Sequence, residues 1–494
     1  MNAPTKPAAD KVVVCVFDGL RPDFITPEQT PNLARFAGQG TWFREARSVF
    51  PSMTRVATTS IATGAPPRVH GVMGNAFLFP EVTREHVLDL SRADDIALAE
   101  VKTGGRFVEA ESFGDVLAKA GKSLAVVHTG SAGSAYLINP RAKANGHWTF
   151  SIFGREHTQT PEAVDEVVAR FGPLPPRNLP RFEETDYAEQ VLREHVLEVM
   201  KPDVALVWFN EPDTSFHYRF LGSQETLSVL KHVDAAFGRI LDWVAAQPDA
   251  ERYVVIAASD HGQISSRDAL DLVGLLGAQG HAGRRAAERT LEGASFSMTG
   301  GNMGEIRILE GGVEKRDAIA AWLREQDLLG MLFSKARNEV EGEVEGSFAL
   351  PLVDLGHRRE PDLVYVLRSG NEVDAYGNPG LGLITKGDVP VGGGMHGGLN
   401  HYELNTVLMV QAEGFAPGHV EHGPSGIIDI APTVLGLLGL APAASMVGHS
   451  LAGANGLEPS ARSFETGAGG FRQMVEIVDR GGARFVRQGG RASI

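Results

Sequence analysis

Five short apolar runs punctuate this chain, and polar residues crowd at the ends of several of them. The first, Val12 to Phe17, is too short for a helix and ends in Asp18-Gly19, so it reads as a buried strand. Similar runs follow at Leu124 to Val127, Val204 to Phe209, Val254 to Ala258 and Thr406 to Val410. Between two of them, Leu227, Leu230, Val233, Phe237, Ile240, Leu241 and Val244 recur at helical spacing and share one face. Strands that alternate with helices predict an α/β fold, with a mostly parallel central sheet and helices on both faces. Ligands in such sheets gather at the carboxyl ends of the strands. Asp18, the segment Asn210 to His217, and Asp260-His261 occupy those ends.

The pattern changes between residues 268 and 390, which are rich in glycine and charge and carry one amphipathic segment, Asp317 to Gln326. This predicts a smaller inserted α+β lobe at 268–390, with the core at 11–267 and 391–451. Gly172 to Pro180 reads as a surface loop. Residues 452–494 read as a C-terminal extension, with a hairpin over Met474 to Arg487 turning at Asp479-Arg480-Gly481-Gly482.

Composition narrows the function classes. Among 494 residues, 46 are Lys or Arg and 61 are Asp or Glu, a net charge of −15 that argues against binding a nucleic-acid polymer. A small anion is still compatible, because charge inside a cleft can oppose the net field. The single cysteine, Cys15, cannot form an internal disulfide. The first residues show no basic-then-apolar signal pattern, and no apolar stretch reaches membrane-spanning length. The expectation is a cytoplasmic enzyme without a membrane partner; homo-oligomerisation is left open.

The chemistry concentrates in a few side chains. Asp213 and His217 are four residues apart and converge if the segment is helical. With Asp18, Asp260, His261 and His396, the last set among glycines at Gly392 to Gly398, they supply three carboxylates and three imidazoles. That mixture suits zinc or a similar divalent ion. Six such ligands exceed one tetrahedral site and fit two sites of three; paired ions about 3.5–4 Å apart serve phosphoryl transfer. Taken singly each residue has an ordinary explanation, Asp18 as a helix cap for example. A hydroxyl at a helix start sees the positive end of the dipole. Ser52 and Thr54, ahead of a helical stretch that closes at Gly64, are equal candidates on these grounds.

The pieces VVVCVFDGLRPDF, TPNLARFAGQG, FPSMTRVATTSIATGAPPRVHGVMGN, FNEPDTSFH, ASDHG, GGMHGGLN and IIDIAPTVLGLLGL with VGHSL resemble the alkaline phosphatase superfamily. Their order is most similar to its nucleotide pyrophosphatase/phosphodiesterase branch and to the related phosphonoacetate hydrolase. The resemblance implies a phosphodiesterase or pyrophosphatase with two divalent cations, zinc expected and manganese or iron as alternatives, acting on a small phosphate ester through a phospho-threonine. It implies Thr54 as nucleophile. Asp18, Thr54, Asp260 and His261 then form one metal site, and Asp213, His217 and His396 the other, His396 being preferred to His401. Asn75, 21 residues beyond Thr54, would hydrogen-bond a phosphoryl oxygen.

Outside these ligands the chain departs from the branch. Arg55 stands where an aromatic that holds a nucleotide base is usual, and Gly397-Gly398-Leu399-Asn400 replaces G-Y-D-N. The H-G-G-L form is closer to phosphonoacetate hydrolase, yet Val127 to Ala132 lacks the lysines that grip a carboxylate there. A phosphodiester is therefore expected ahead of phosphonoacetate, with a carbon–phosphorus hydrolase or a phosphomonoesterase as the alternatives. Arg55 either contacts a phosphoryl oxygen, which favours a more highly charged monoester, or faces solvent. His128, Ser131 and Tyr136 are candidate pocket residues near a strand end.

Overall fold

The structure, a computed structural model, describes residues 8–387, 389–453 and 457–492. The signal-free reading of residues 1–7, position 388 of the inserted segment, and positions 454–456, 493 and 494 of the C-terminal extension lie outside the described residues.

Alternation along the first strand, Lys11–Phe17, sets up the architecture. Val13, Cys15 and Phe17 point to one face, where they pack with Leu33, Val164, Val191, Leu230 and Phe237. Val12, Val14 and Val16 point to the other and meet Ala57, Ile61, Leu117 and Val434. A strand apolar on both faces must be covered on both. Helices Pro31–Gln39, Pro161–Phe171 and Gln224–Ala245 cover the first face, while Thr54–Thr63, Phe113–Lys119 and Ile430–Leu437 cover the second.

The eight-stranded sheet runs in the order His419–Glu421, Thr41–Phe43, Leu408–Gln411, Tyr253–Ala258, Lys11–Phe17, Val204–Phe209, Leu124–His128, Trp148–Ser151. The five strands from Tyr253–Ala258 to Trp148–Ser151 are mutually parallel, in register Val12 to Val204 and Val12 to Val254. Leu408–Gln411 alone runs against its neighbours on both sides. The expected mostly parallel, doubly covered α/β sheet is thus the observed one. The apolar runs read from the sequence coincide with strands, and the run of leucines and valines after residue 227 lies within the 22-residue helix Gln224–Ala245.

Among the described residues, three larger sheets and two two-stranded ones accompany this core. A six-stranded sheet is built from segments between Gly283 and Leu367 and packs on the helix Gly312–Glu325. A four-stranded sheet joins Ile264–Leu270, Ser369–Val373, Pro379–Thr385 and Gly394–Met395. Ser460–Ala468, Phe471–Arg480 and Ala483–Arg491 form an antiparallel three-stranded sheet. Met303, Met331 and Phe333 of the six-stranded sheet share a buried cluster with Phe50, Met53 and Val56, so it is packed directly against the start of the helix Thr54–Thr63. Among the described residues no helix is long and apolar enough to cross a membrane.

Candidate metal centre

Three parallel strands deliver carboxylates to one point. Asp18 follows Phe17, Asp213 opens the short helix Asp213–Arg219 beyond Phe209, and Asp260 follows Ala258 by two residues. Gly19 makes this convergence sterically feasible. Its φ is +70°, and a Cβ there would lie 2.8 Å from Gln263 Nε2 and 3.1 Å from Asp213 Cβ. The Gly19 N–H donates to Asp260 Oδ1 at 3.1 Å, and the Asp213 N–H donates to the Asp18 carbonyl at 3.0 Å.

The imidazoles are oriented by one repeated device. His217 Nδ1 donates to the Gly394 carbonyl at 2.6 Å, His396 Nδ1 to the Ser52 carbonyl at 2.8 Å, and His261 Nδ1 to the Gly262 carbonyl at 3.1 Å. A carbonyl can only accept, so each Nδ1 carries a proton and each Nε2 is the atom turned to the interior, available to a metal as a lone pair in the neutral ring. His261 Nε2 lies 3.2 Å from Asp260 Oδ2, 3.4 Å from Asp18 Oδ1 and 3.1 Å from Thr54 Oγ1. His217 Nε2 lies 3.2 Å from Asp213 Oδ1, and His396 Nε2 3.6 Å from the same oxygen. The His261 and His396 rings stack with centroids 3.6 Å apart.

The donor atoms fall into two overlapping groups able to hold a metal ion, Asp213–His217–His396 and Asp18–Asp213–His261. Asp18 Oδ1 and Asp260 Oδ2 are buried without a hydrogen-bond partner. Orphaned buried carboxylate oxygens facing imidazole Nε2 atoms are the donor set a divalent cation requires, so the residues fit such an ion. The charges agree. Burial, then Asp260 and Asp213, push the Asp18 carboxyl well above its ordinary range, and burial raises Asp260 as well. Burial opposes ionisation of Asp213 too, but His217, His396 and His261 outweigh it and hold that carboxyl low. Burial and the neighbouring His261 hold the His396 pKa well below its ordinary value, which favours the neutral ring.

Thr54 is the first residue of the helix Thr54–Thr63, which closes at Gly64 in the left-handed conformation. Its hydroxyl caps nothing and faces His261. Ser52, its rival in the sequence, is engaged: its Oγ donates to the Gly398 carbonyl and accepts from the Gly397 N–H, both at 3.1 Å, pinning the glycine segment around His396. Asn75 Oδ1 accepts the Arg55 N–H at 2.9 Å, which leaves its Nδ2 free to donate. Thr54, Arg55, Asn75, Asp213, His217 and His396 line one cavity of about 650 Å³ that reaches to the six-stranded sheet.

Other sequence candidates stand elsewhere. His128 is fully buried, accepts the Gly130 N–H on Nδ1, and stacks on Trp208 at 5.2 Å; burial pushes its pKa down to about 3. The Tyr136 hydroxyl donates to Glu100 at 2.7 Å, and Ser131 caps the helix Ala132–Leu137. None of the three is among the residues lining the cavity. His401 borders a separate hollow with Arg21 and Arg44. Asp18 caps no helix; its Oδ2 accepts from Trp208 Nε1 at 2.9 Å.

Trp208 and Gln263 escaped the sequence reading. Gln263 Nε2 donates to Asp213 Oδ1 at 2.5 Å as Trp208 does to Asp18, so both steer a carboxylate. A large indole one residue before the end of a fully buried strand, and an amide two residues past Asp260-His261, were the available signals. Glu403 buttresses the loop after His396 by accepting the Gly398 N–H at 2.7 Å and Asn302 Nδ2 at 2.5 Å, and burial pushes its carboxyl up to about 7.

Comparisons with known proteins place the chain among relatives. The family model described as Type I phosphodiesterase / nucleotide pyrophosphatase matches residues 12–397. Bis(5'-adenosyl)-triphosphatase enpp4 of Xenopus laevis is 33% identical over 72 residues, 15% of this chain and 16% of its own length. The human protein of that name is 30% identical over 84 residues, 17% of this chain and 18% of its own length. The chain's match therefore spans under a fifth of either relative. Murine ectonucleotide pyrophosphatase / phosphodiesterase 5 shares the fold with a TM-score of 0.59 at 17% identity, covering 88% of this chain and 96% of that one. An inactive threonine-to-alanine form of the same mouse protein has been solved in complex with AMP.

Two outcomes follow from the supporting residues. Trp208→Phe keeps an aromatic ring but removes the indole N–H, and zinc titration by calorimetry should find affinity reduced about 10–100-fold; unchanged affinity would contradict the steering role. For Glu403 the folded pKa of about 7 exceeds the ordinary value of 4.5. Its contribution to metal-free stability is thus fully present below about pH 4.5 and is lost, by about 3 kcal/mol, as pH rises to 7. Urea unfolding across that window should show a smaller loss in Glu403→Gln than in the wild type.

Proposed function

The chain belongs to the type I phosphodiesterase / nucleotide pyrophosphatase family of phosphorus-ester hydrolases, and from that premise we propose that it cleaves phosphate diesters and pyrophosphate esters by covalent attack of Thr54 in a centre of two divalent cations. The observation that carries this reading is the Thr54 hydroxyl at a helix start, 3.1 Å from His261 Nε2 and beside buried, unpartnered oxygens of Asp18 and Asp260. Asp18, Asp260, His261 and Thr54 would hold one ion, and Asp213, His217 and His396 the other. Zinc suits this mixture of imidazole and carboxylate best; manganese and iron are the alternatives. When bound, such ions lower the pKa of a hydroxyl and neutralise charge on the phosphoryl oxygens and the leaving oxygen.

The remaining work belongs to the chain. The helix Thr54–Thr63 directs the positive end of its dipole at the nucleophile and the incoming anion. Asn75 is fixed through its carbonyl to the Arg55 N–H and offers its amide N–H groups to a non-bridging oxygen, where stabilisation favours the transition state. Gly394, Ser52 and Gly262 carbonyls hold the three imidazoles in the ligating tautomer, so no rearrangement precedes attack. Met53, Met73, Met298, Met303 and Met395 form an adaptable apolar wall of the cavity, which suits an ester with an organic arm. A nucleotide is one such ester, but the aromatic expected to hold its base is Arg55 here. The unpaired Cys15, buried in the first strand, is compatible with a cytoplasmic location.

Activity toward bis(p-nitrophenyl) phosphate, a nucleotide diester and phosphonoacetate tests the reading. Diester turnover should exceed phosphonoacetate turnover, vanish on chelation and return with zinc. Thr54→Ala should lower kcat at least about 10³-fold with metal content retained. Full turnover in Thr54→Ala would mean that another group attacks phosphorus.

A further inference from the structure

The cavity holds a cation that the reaction above leaves idle. Arg55 is only partly exposed, and its Nε is buried with no hydrogen-bond partner. Among the described residues its guanidinium makes no ion pair, whereas the other arginines lining the cavity each face a carboxylate: Arg289 grips both Asp95 oxygens at 2.8 and 2.9 Å, Arg92 meets Asp94 at 2.7 Å, and Arg285 lies 3.8 Å from Glu288. Arg55 is also held in place. It follows Thr54 in the helix, its N–H is bound by Asn75, and its charge is felt at Asp18, His128 and His217. A half-buried guanidinium without an acceptor carries a desolvation cost that an anion would offset. Its planar fork suits two oxygens of one phosphoryl group.

We propose that the site has a second activity, the hydrolysis of phosphate monoesters, and that Arg55 is the specificity-determining residue that admits them. The inference rests on the phosphorus-ester reading given above. A diester brings one negative charge to the phosphorus, and a monoester at neutral pH brings nearly two. The additional charge needs an additional positive partner, and Arg55 supplies one beside Asn75 and Thr54. In the first step a Thr54 Oγ1–P bond forms while the ester P–O bond breaks; Thr54 gives up its proton and the alcohol leaves with one. Water then takes the phosphoryl group and Thr54 regains a proton. The sum is ester plus water to alcohol plus inorganic phosphate, with no change of oxidation state. An arginine serving only solubility would be solvated at Nε, and one serving only the fold would have a protein acceptor; Arg55 has neither.

The test compares p-nitrophenyl phosphate with bis(p-nitrophenyl) phosphate, which share a leaving group, in the zinc-loaded full chain. The wild type should hydrolyse both. In Arg55→Ala the ratio of kcat/KM for monoester over diester should fall about 10–100-fold, the scale of a lost charge-assisted contact. Arg55→Lys, which keeps the charge, should recover part of that ratio. Inorganic phosphate binding, followed by calorimetry at matched zinc content, should weaken in Arg55→Ala by a similar factor, independently of turnover. An unchanged ratio with unchanged phosphate affinity overturns the proposal, as does a wild type that cleaves the diester but never the monoester. A wild type that cleaves neither, with zinc bound, overturns the parent reading and this one with it.

Discussion

Three carboxylates buried at one point, with no lysine or arginine among the described residues paired to any of them, set the constraint from which the rest of this structure follows. Asp18, Asp213 and Asp260 are each at most 7% exposed, and they reach one another from three different strands. Burial first, and the repulsion of neighbouring carboxylates after it, drive Asp18 and Asp260 toward their neutral forms, while Asp213 is held ionised by the positive charge of His217. A cation between them reverses the sign of that balance. It also explains how a chain of net charge −15 can receive a phosphate, because divalent ions dominate the local field wherever they bind.

The surrounding fold is arranged to keep that pocket of charge open. A parallel sheet ends its strands on one edge, so residues far apart in the sequence arrive together without long loops. Gly19 lets the Asp18 and Asp213 backbones approach, and Gly262 does the same beside His261, where a Cβ would lie 2.1 Å from the Tyr402 carbonyl. Three backbone carbonyls hold the imidazoles, and two side-chain donors, Trp208 and Gln263, hold the carboxylates. The arrangement is therefore pre-formed, which is the condition for electrostatic catalysis without reorganisation.

Much of this was legible in the sequence because it follows from short-range rules. Apolar runs of strand length, a 3.6-residue apolar repeat and acidic residues at strand ends are readable without coordinates, and they located the central sheet and the Asp/His groups that the structure brings together. What was not legible depends on register and direction. That Trp208 reaches Asp18 follows from the pairing of the 11–17 and 204–209 strands, which no local pattern encodes. His128 sits at a strand end, where pocket residues gather, yet its ring stacks on Trp208. Tyr136 is drawn to Glu100 on another helix. Arg55 could point outward or inward by sequence alone; the packing of its helix against the six-stranded sheet turned it toward the cavity.

The account stands or falls on where metal ions bind. Anomalous diffraction at the zinc edge from crystals of the zinc-loaded protein measures this directly. Two peaks are expected, one among Asp18, Thr54, Asp260 and His261 and the other among Asp213, His217 and His396. A single ion, or ions bound away from Thr54, would contradict it.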